Sequence, residues 1–356
     1  MAILVTGAGG HLGANLVRHL LAEGETVRAL LHDPVEAPSL AGLSVETLVG
    51  DLRDPALAAA CVAGCTQVYH CAARVSTSER GRDEIFGCNV LATRILLQAA
   101  RAARVGKVVV TSSFSAVGVR EDGIPSDETV PFNPFERHLP YEQSKAAAEH
   151  ECLKACADGL PVVIATSTAI LGPNDFKPSR MGRVLIDFAH GRLPAYIQGG
   201  FEFVAACDIA AGHRLAMAKG RPGQKYIFST GFVNMDEMMA MFRRVTGRPH
   251  RPLRLPPTLM RVAASVTARL SPLVAPRAEP LLTPAAIRLL RLARRADTSK
   301  ARTELGFRPT SIEAAVADAY RDFVDRGVIV RDARPRRSSS PKPCRPTGHP
   351  APPRPV

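Results

Sequence analysis

The chain has 356 residues, 46% of them hydrophobic, and a formal net charge of +13 at pH 7. This length and composition support a sizeable core in one or two domains. No apolar run reaches the ~20 residues that a membrane-spanning helix needs. Ala2-Ile3-Leu4-Val5 leads into a glycine-rich turn without the basic leader of a signal peptide. We therefore expect a cytoplasmic protein.

The first half of the chain alternates short apolar strands with helical patterns, which predicts βαβ units and a parallel sheet. The predicted strands are Ala2–Thr6, Thr26–Leu31, Ser44–Val49, Gln67–His70, Lys107–Thr111 and Pro161–Thr166. The predicted helices are His11–Glu23, Pro55–Val62, Glu79–Arg104 and Tyr141–Ala157. These units predict an α/β fold with a doubly wound parallel sheet of Rossmann type over residues 1–170.

The regular alternation of strands and helices ends after residue 170, where short strands mix with helices. The predicted strands are Phe201–Ala205 and Lys225–Ser229, and the predicted helices are Ile209–Lys219, Met235–Thr246, Thr258–Leu270, Pro284–Arg294 and Ile312–Arg326. We interpret residues 171–330 as a smaller, mostly helical lobe that binds the substrate. Residues 225–230 are a candidate for returning to the first domain.

Residues 331–356 form a tail of different composition. They combine seven basic residues and one acid with many prolines and serines, which predicts disorder. A basic tail suits nucleic acid or an anionic membrane, but a solvated extension without a partner explains it better. We expect no nucleic-acid partner and at most a peripheral membrane contact.

The eight cysteines show no metal-binding pattern. Cys61 and Cys65 are four residues apart, as are Cys152 and Cys156, but the chain has no Cys-x-x-Cys and no histidine cluster beside them. We therefore expect no metal site and interpret these residues as buried, reduced thiols.

Gly7, Gly10 and Gly13 recur at every third residue between the first strand and the first helix. Glycine is needed where a turn takes unusual dihedral angles, where a pyrophosphate approaches bare backbone, and where helix and strand pack closely. The free amides of the helix N-terminus, near His11 and Leu12, then suit a phosphate. This turn predicts a dinucleotide site.

The end of the second strand bears on the choice between NAD and NADP. A carboxylate there binds the 2′-hydroxyl of the adenosine ribose and repels a 2′-phosphate. Leu31 stands at that position, His32 offers an imidazole to a phosphate, and Asp33 is close enough to swing in. The pattern favours NADP(H) slightly, with NAD(H) open, although an exposed loop residue explains His32 equally well. Asp51, after the third strand, is placed to accept from the adenine amine.

Tyr141 and Lys145 are four residues apart and share one face of a helix. A nearby ammonium favours the ionised phenol and lowers the pKa of the tyrosine. Tyr141 would then pass a proton to or from a substrate oxygen. Ser113, after the fifth strand, would hold the same oxygen, with Ser112 and Ser115 as rivals for this role.

These motifs resemble one superfamily over about residues 2–330. Further segments agree: Gly50–Asp54, His70–Ala73, Asn89-Val90 with Thr93, Gly172–Asp175, Asp208–Ala210 and Glu304–Pro309. The chain resembles the extended short-chain dehydrogenase/reductase superfamily, in its NAD-dependent epimerase/dehydratase group. Within that group it is most similar to dihydroflavonol-4-reductase-like proteins and to hopanoid-associated sugar epimerases, on residues 172–196 and 219–227.

The resemblance implies that Ser113, Tyr141 and Lys145 are catalytic and that Asn89 supports the cofactor side. The candidate cofactor-binding residues are Gly7, Gly10, His11, Leu12, Gly13, His32, Asp51, Leu52, Ala72, Ala73, Asn89, Tyr141 and Lys145. A homodimer is a further expectation from the family. The chain departs from the group at Thr166-Ser167, where Asn-Pro is usual, and at Phe203–Asp208, which lacks the usual polar residues. Both departures indicate a substrate that is less polar than a sugar nucleotide, or one that is simply different from it.

We interpret the chain as an NAD(P)H-dependent oxidoreductase that interconverts a ketone and a secondary alcohol on a medium-sized, fairly apolar small molecule. The alternative is a nucleotide-sugar or hopanoid-associated sugar epimerase or dehydratase with retained NAD, but no arginine motif for a diphosphate is evident. A third hypothesis, a dinucleotide sensor or membrane-peripheral protein, rests on the tail and on a basic helix. The basic residues of that helix are Arg288, Arg291, Arg294 and Arg295. A solvated helix face explains them better.

Overall fold

A computed structural model describes residues 2–120, 123–136, 138–256 and 284–330. The helix predicted at Thr258–Leu270 and the tail predicted at residues 331–356 lie outside the described residues.

The strands of the described part of the chain form one large sheet and two small ones. They are β1 (Ala2–Thr6), β2 (Val27–Leu31), β3 (Glu46–Val49), β4 (Cys65–His70), β5 (Lys107–Ser113), β6 (Val162–Ser167), β7 (Ala169–Leu171), β8 (Ala195–Ile197), β9 (Gly200–Ala205), β10 (Lys225–Phe228), β11 (Gly231–Asn234) and β12 (Leu253–Leu255). The large sheet has the order β10-β6-β5-β4-β1-β2-β3, and all its pairs are parallel. This is a doubly wound α/β sheet of Rossmann type.

The order of the strands determines at which edge of the large sheet a ligand site is expected. β1 has β2 on one side and β4 on the other, so the chain winds away from β1 in both directions. The carboxyl ends of parallel strands meet at one edge of the sheet, and ligands bind in the crevice where the winding direction changes. The glycine-rich turn after β1 and the serine that ends β5 both lie at this edge. The later strand β10 extends the same sheet by pairing with β6.

The helices that the structure describes flank this sheet and build the second lobe. They are α1 (His11–Ala22), α2 (Pro55–Val62), α3 (Arg82–Phe86), α4 (Ala92–Ala102), α5 (Pro140–Ala157), α6 (Arg180–Ala189), α7 (Ala206–Lys219), α8 (Met235–Thr246), α9 (Pro284–Leu292) and α10 (Ile312–Asp325). Of these described helices, none has the length and apolar character needed to cross a membrane.

One long helix of the prediction, Glu79–Arg104, is three pieces in the structure. A π-helical turn, Gly87–Leu91, separates α3 from α4. A π-turn inserts an extra residue into the helical ladder and is frequent at functional sites. Here it contains Asn89, whose amide reaches two other segments of the site. A helical period in the sequence does not reveal such an insertion.

The core has one apolar layer on each face of the sheet. β5 runs Val108-Val109-Val110 with all three side chains buried, as expected for a parallel strand covered on both faces. Val109 joins the layer that contains α1 and α7 residues, while Val108 and Val110 join the layer under α2, α4 and α5. The two layers fix the sheet rigidly beneath the site.

The second lobe forms its own apolar cluster from α6, α8, α10 and the small sheet β11-β9-β7. The sequence prediction omitted α6 and the short strands β7, β8, β11 and β12. Strands of three or four residues carry too few positions to show an alternating pattern. For α6 a usable signal existed, because Ser179 caps the helix by accepting from the amide of Gly182 at 3.1 Å.

Candidate active site

The glycine-rich turn leaves bare backbone at the start of α1. Gly7 has φ +63°, and a Cβ there would lie 2.6 Å from Ala72 Cα; a Cβ on Gly13 would overlap the carbonyl oxygen of Gly7. The N-cap of α1 is Gly10, without a side-chain cap, and its first turn has no acidic residue. Leu12 is buried beneath it. A helix N-terminus of this kind binds a phosphate, so these residues fit a dinucleotide.

His11 ties the turn to the second lobe. Its Nε2 donates to the carbonyl oxygen of Pro173 at 3.1 Å, and Asn15 Nδ2 donates to the same oxygen at 2.9 Å. Asn174 Nδ2 donates in turn to Asn15 Oδ1 at 3.0 Å. The side chain of His11 is therefore hydrogen-bonded to the segment that follows β7. Its backbone amide is the group that would meet a phosphate bound at the start of α1.

The end of β2 agrees with one of the alternatives that the sequence left open, an exposed loop position for His32. Leu31 is fully buried. Asp33 does not swing in, because its Oδ1 accepts from Val35 N at 2.9 Å and caps the short 3-10 helix Pro34–Leu40. The side chain of His32 is exposed, and its backbone amide donates to Glu36 Oε2 at 3.2 Å. Sequence reasoning missed Glu36, since only the geometry of the 3-10 helix brings it back to the strand.

The Asp51 carboxylate is paired before any ligand binds. Its Oδ2 accepts from Arg53 Nε and its Oδ1 from Arg53 N, both at 2.8 Å. The Arg53 guanidinium lowers the pKa of Asp51, so the carboxylate stays ionised at neutral pH. The side chain of Leu52 is buried against α2, which leaves its backbone to face a cofactor.

Asn89 joins the loop after β4 to the helix that carries the lysine. Its Oδ1 accepts from Arg74 N at 2.7 Å, and its Nδ2 donates to Arg74 O at 3.1 Å and to Ser144 Oγ at 2.9 Å. Ala72 and Ala73 precede this contact, and the amide of Ala72 donates to Thr6 Oγ1 at 3.3 Å. Asn89 therefore holds both the loop and α5 in place.

The structure brings Ser113 and Tyr141 together. Ser113 ends β5 beside Ser167 of β6, and its side chain lies close enough to the half-buried phenol of Tyr141 to offset part of the pKa rise that burial causes. Burial raises the pKa of Tyr141 above its usual range. The sequence predicted a lower pKa from Lys145, but the structure gives the opposite direction. The phenol is therefore protonated at neutral pH.

Lys145 is buried and donates from Nζ to the carbonyl oxygen of Thr111 at 2.7 Å. Burial lowers the pKa of its ammonium to about 8. The side chain of Thr111 is held separately: His213 Nδ1 donates to Ile209 O at 2.8 Å, so His213 Nε2 accepts from Thr111 Oγ1 at 2.8 Å. Burial lowers the pKa of His213 to about 4, which keeps this imidazole neutral.

The two rival serines take other roles. Ser112 points to the opposite face of β5, where its Oγ donates to Glu149 Oε1 at 2.5 Å. Ser115 supports Ser113, because its amide donates to Ser113 Oγ at 3.3 Å and the two hydroxyls lie 2.8 Å apart. Of the three candidates, Ser113 is the one whose side chain influences the pKa of Tyr141.

A family model described as "NAD dependent epimerase/dehydratase family" matches residues 3–229. The chain belongs to this family. Sterol demethylase protein B of Methylococcus capsulatus is 44% identical over 329 residues, covering 92% of this chain and 100% of that protein. A putative dihydroflavonol 4-reductase of Synechocystis is 35% identical, covering 91% and 95%. The crystal structure of gox2253 has a TM-score of 0.79 and 32% identity, covering 92% and 98%.

The matching family is described as dependent on NAD. Within the described residues, no group of three or more His, Cys, Asp or Glu side chains is placed to hold a metal ion.

Of the four arginines at and after α9, Arg288, Arg291 and Arg295 are exposed, as the sequence suggested, whereas Arg294 is partly buried. Arg294 Nη2 donates to the carbonyl oxygens of Val117 and Gly118 at 2.7 and 2.8 Å, and its guanidinium lies 4.6 Å from the ring centroid of Phe114. Phe114 begins the short turn that Ser113 caps. Arg294 thus holds the backbone that immediately follows the serine.

We expect Arg294→Met to lower kcat by about tenfold, since small displacements of a catalytic group cost rate steeply. The Kd for the dinucleotide should stay the same, because Arg294 contacts the serine side of the site only. Steady-state kinetics and calorimetric titration measure the two quantities. Arg291→Met, at an exposed arginine of the same segment, is the matched control. An unchanged kcat in the Arg294 variant would contradict the positioning role.

Proposed function

We propose that this protein is an oxidoreductase that interconverts a ketone and a secondary alcohol on a medium-sized, fairly apolar substrate. The observation that carries the proposal is the placement of Ser113, at the end of β5, close to the Tyr141 phenol of α5. The pair lies at the same sheet edge as the uncapped, glycine-rich start of α1. Such an arrangement suits proton transfer to an oxygen whose carbon gains or loses a hydride.

In the reducing direction, Tyr141 gives its phenolic proton to the carbonyl oxygen and Ser113 donates a hydrogen bond to the same oxygen. A nicotinamide dinucleotide held at the glycine-rich turn would supply the hydride for the carbonyl carbon. The new C–H and O–H bonds replace the C=O π bond, so atoms and electrons balance. Lys145, charged below a pKa of about 8, favours the phenolate left on Tyr141. In the oxidising direction the same residues act in reverse.

The raised pKa of Tyr141 bears on the direction in which the proposed reaction runs. A phenol that is protonated at neutral pH is ready to donate, as reduction requires. Alcohol oxidation needs the phenolate, and therefore gains rate as pH rises. The protonation state of Tyr141 at neutral pH therefore suits the reducing direction.

Two observations support an apolar substrate. The names of two relatives refer to a sterol and to dihydroflavonol, both of which are polycyclic. In the second lobe, the buried carboxylates are already engaged: Asp208 accepts from Thr230 Oγ1 at 2.5 Å and from Thr310 N at 2.9 Å, and Glu202 accepts from Ser229 Oγ. These carboxylates serve the fold and are not free to bind sugar hydroxyls.

The experiment is a substrate panel with the purified full chain. We expect oxidation of NADH or NADPH with polycyclic ketones, followed by absorbance, and none with the Tyr141→Phe variant. A complete lack of cofactor oxidation across polycyclic and linear ketones would overturn the proposal. Tightly retained NAD together with calorimetric binding of a nucleotide sugar would favour the epimerase alternative instead.

A further inference from the structure

Glu149 is a buried carboxylate that the proposed reaction does not use. It lies on α5, one helical turn beyond Lys145, and 8% of the residue is exposed. A charge in such a place costs free energy unless hydrogen bonds and an opposite charge compensate it. The partners of this carboxylate therefore indicate what it contributes to the site.

The two oxygens of Glu149 are bonded to two different strands of the large sheet. Oε1 accepts from Ser112 Oγ of β5 at 2.5 Å. Oε2 is paired with the ammonium of Lys225, the first residue of β10, whose side chain is 19% exposed. β10 is the strand at one end of the large sheet. Glu149 thus joins α5 both to the strand that carries the site serine and to the edge of the sheet.

Lys145 and Glu149 hold two consecutive residues of β5. Lys145 Nζ donates to Thr111 O at 2.7 Å, and Glu149 accepts from the side chain of Ser112. Two contacts one turn apart restrict both the sliding of α5 along the strand and the rotation of α5 about its own axis. The tyrosine of the site lies on this helix, and its serine ends this strand. The two contacts therefore fix how these hydroxyl groups approach one another.

The charge of Glu149 also acts on the ammonium of Lys145. It raises the pKa of Lys145 and so offsets part of the lowering that burial causes. Lys225 opposes this effect, because its positive charge neutralises the same carboxylate. Glu149 and Lys225 consequently have opposite influences on the pH range in which Lys145 is charged.

The other ionisable groups that the structure describes beside this lysine are neutral near pH 7. On the side of β4, burial lowers the pKa of His70 to about 3 and raises the pKa of Cys71 to about 11. On α5 itself, burial raises the pKa of Tyr141 and the pKa of Cys152. The nearby ends of β5 and β6 contribute hydroxyl side chains only. The paired carboxylate is therefore the charge on α5 that stabilises the ammonium.

We propose that Glu149 is a positioning residue of the reaction, which through Ser112 and Lys225 holds Lys145 in place and in its charged form. Glu149 acts through the lysine and not by contact with the reacting oxygen. The proposal rests on the proposed function, because it assumes that the ammonium of Lys145 supports proton transfer by the tyrosine.

A titration of Lys145 by NMR tests this without reliance on turnover. The chain has eight lysines, so lysine labelled with carbon-13 at Cε gives few signals, and the signal of Lys145 is the one lost in Lys145→Met. The variants are Glu149→Gln, which removes the charge and keeps the shape, and Lys225→Met, which removes the opposite charge. Glu151→Gln, at a carboxylate of the same helix that is paired with an arginine, is the matched control. Circular dichroism checks that each variant is folded.

We expect the pKa of Lys145 to fall by about one unit in Glu149→Gln, because the ammonium loses its neighbouring negative charge. It should rise in Lys225→Met, where the carboxylate is no longer neutralised, and stay the same in Glu151→Gln. The alkaline fall of kcat for ketone reduction, measured with saturating dinucleotide, should move in the same direction as the titration in each variant. A merely structural role of Glu149 gives no pair of opposite shifts.

The outcomes distinguish this inference from the proposed function. An unchanged titration of Lys145 in Glu149→Gln, or shifts of the same sign in the two variants, would overturn the inference alone. A rate profile that does not follow the titration would also overturn it, with ketone reduction by the wild type intact. Opposite shifts in a chain that reduces no ketone would overturn the proposed function, and the catalytic role of Glu149 with it. Should Glu149→Gln not fold, the upward shift in Lys225→Met still decides whether the pair controls the lysine.

Discussion

Tyr141→Phe is expected to lower ketone reduction by about 10³-fold, within the range that general acid catalysis supplies. The substitution removes one oxygen and its proton and keeps the ring. Ser113 then has no partner for proton transfer to the substrate oxygen, although it can still donate a hydrogen bond to it. The measurement is kcat at saturating cofactor, obtained from the absorbance of the reduced dinucleotide. The reaction is followed for hours where the variant is slow.

The Kd for the dinucleotide separates chemistry from binding in this variant. It should change by less than about threefold, because the phenol contributes to the reacting centre more than to cofactor affinity. Tyr320→Phe is a suitable control, since Tyr320 lies in α10 within the second lobe. A Tyr141→Phe enzyme with a near-wild-type rate would show that another group delivers the proton.

Much of the first domain could be predicted from local patterns. β1 and α2, like α8 of the second lobe, have the predicted bounds, because apolar runs, capping residues and glycine turns act within a few residues of one another. The glycine spacing of the phosphate turn is local in the same sense. Features that depend on an inserted residue, such as the π-turn at Asn89, leave no periodic mark.

The residues of the candidate site that the sequence did not predict were missed for a different reason. Arg294 lies 177 positions from Val117, whose carbonyl it binds. Glu36 is close in sequence to Leu31, but its direction depends on a 3-10 helix that a sequence pattern does not distinguish from a loop. The pKa of Tyr141 was predicted in the wrong direction because burial outweighs any lysine contribution. Long-range packing and desolvation both require three-dimensional coordinates.

Lys145→Met is expected to lower turnover by about 10²-fold or more and to weaken dinucleotide binding as well, since the ammonium serves both the tyrosine and the cofactor. The substituted side chain has similar length and suits a buried position. Kinetics and calorimetric titration measure the two losses. Lys154→Met, at an exposed lysine of the same helix, should leave both unchanged. Retained activity together with retained affinity in the Lys145 variant would contradict this assignment.

The same variant should fold as stably as the wild type at pH 7. A lysine pKa lowered from 10.5 to about 8 in the folded state corresponds to about 3 kcal/mol of destabilisation at neutral pH. The lost hydrogen bond to Thr111 O offsets about 1.5–3 kcal/mol of the gain in Lys145→Met. Thermal unfolding at pH 7 therefore gives an equal or higher Tm for the variant, and a clearly lower Tm would contradict a costly buried charge.

The contribution of Lys145 to stability changes with pH in a definite direction. Because the folded pKa of Lys145 is below the unfolded value, its destabilising effect is complete below about pH 8 and disappears as pH rises towards 10.5. Wild-type stability should therefore gain on that of Lys145→Met across this interval. Ketone reduction by the wild type should fall above about pH 8 as the ammonium loses its proton, whereas the residual rate of Lys145→Met should show no step there. A buried charge that costs stability and governs rate in the same pH range is expected of a lysine retained for catalysis.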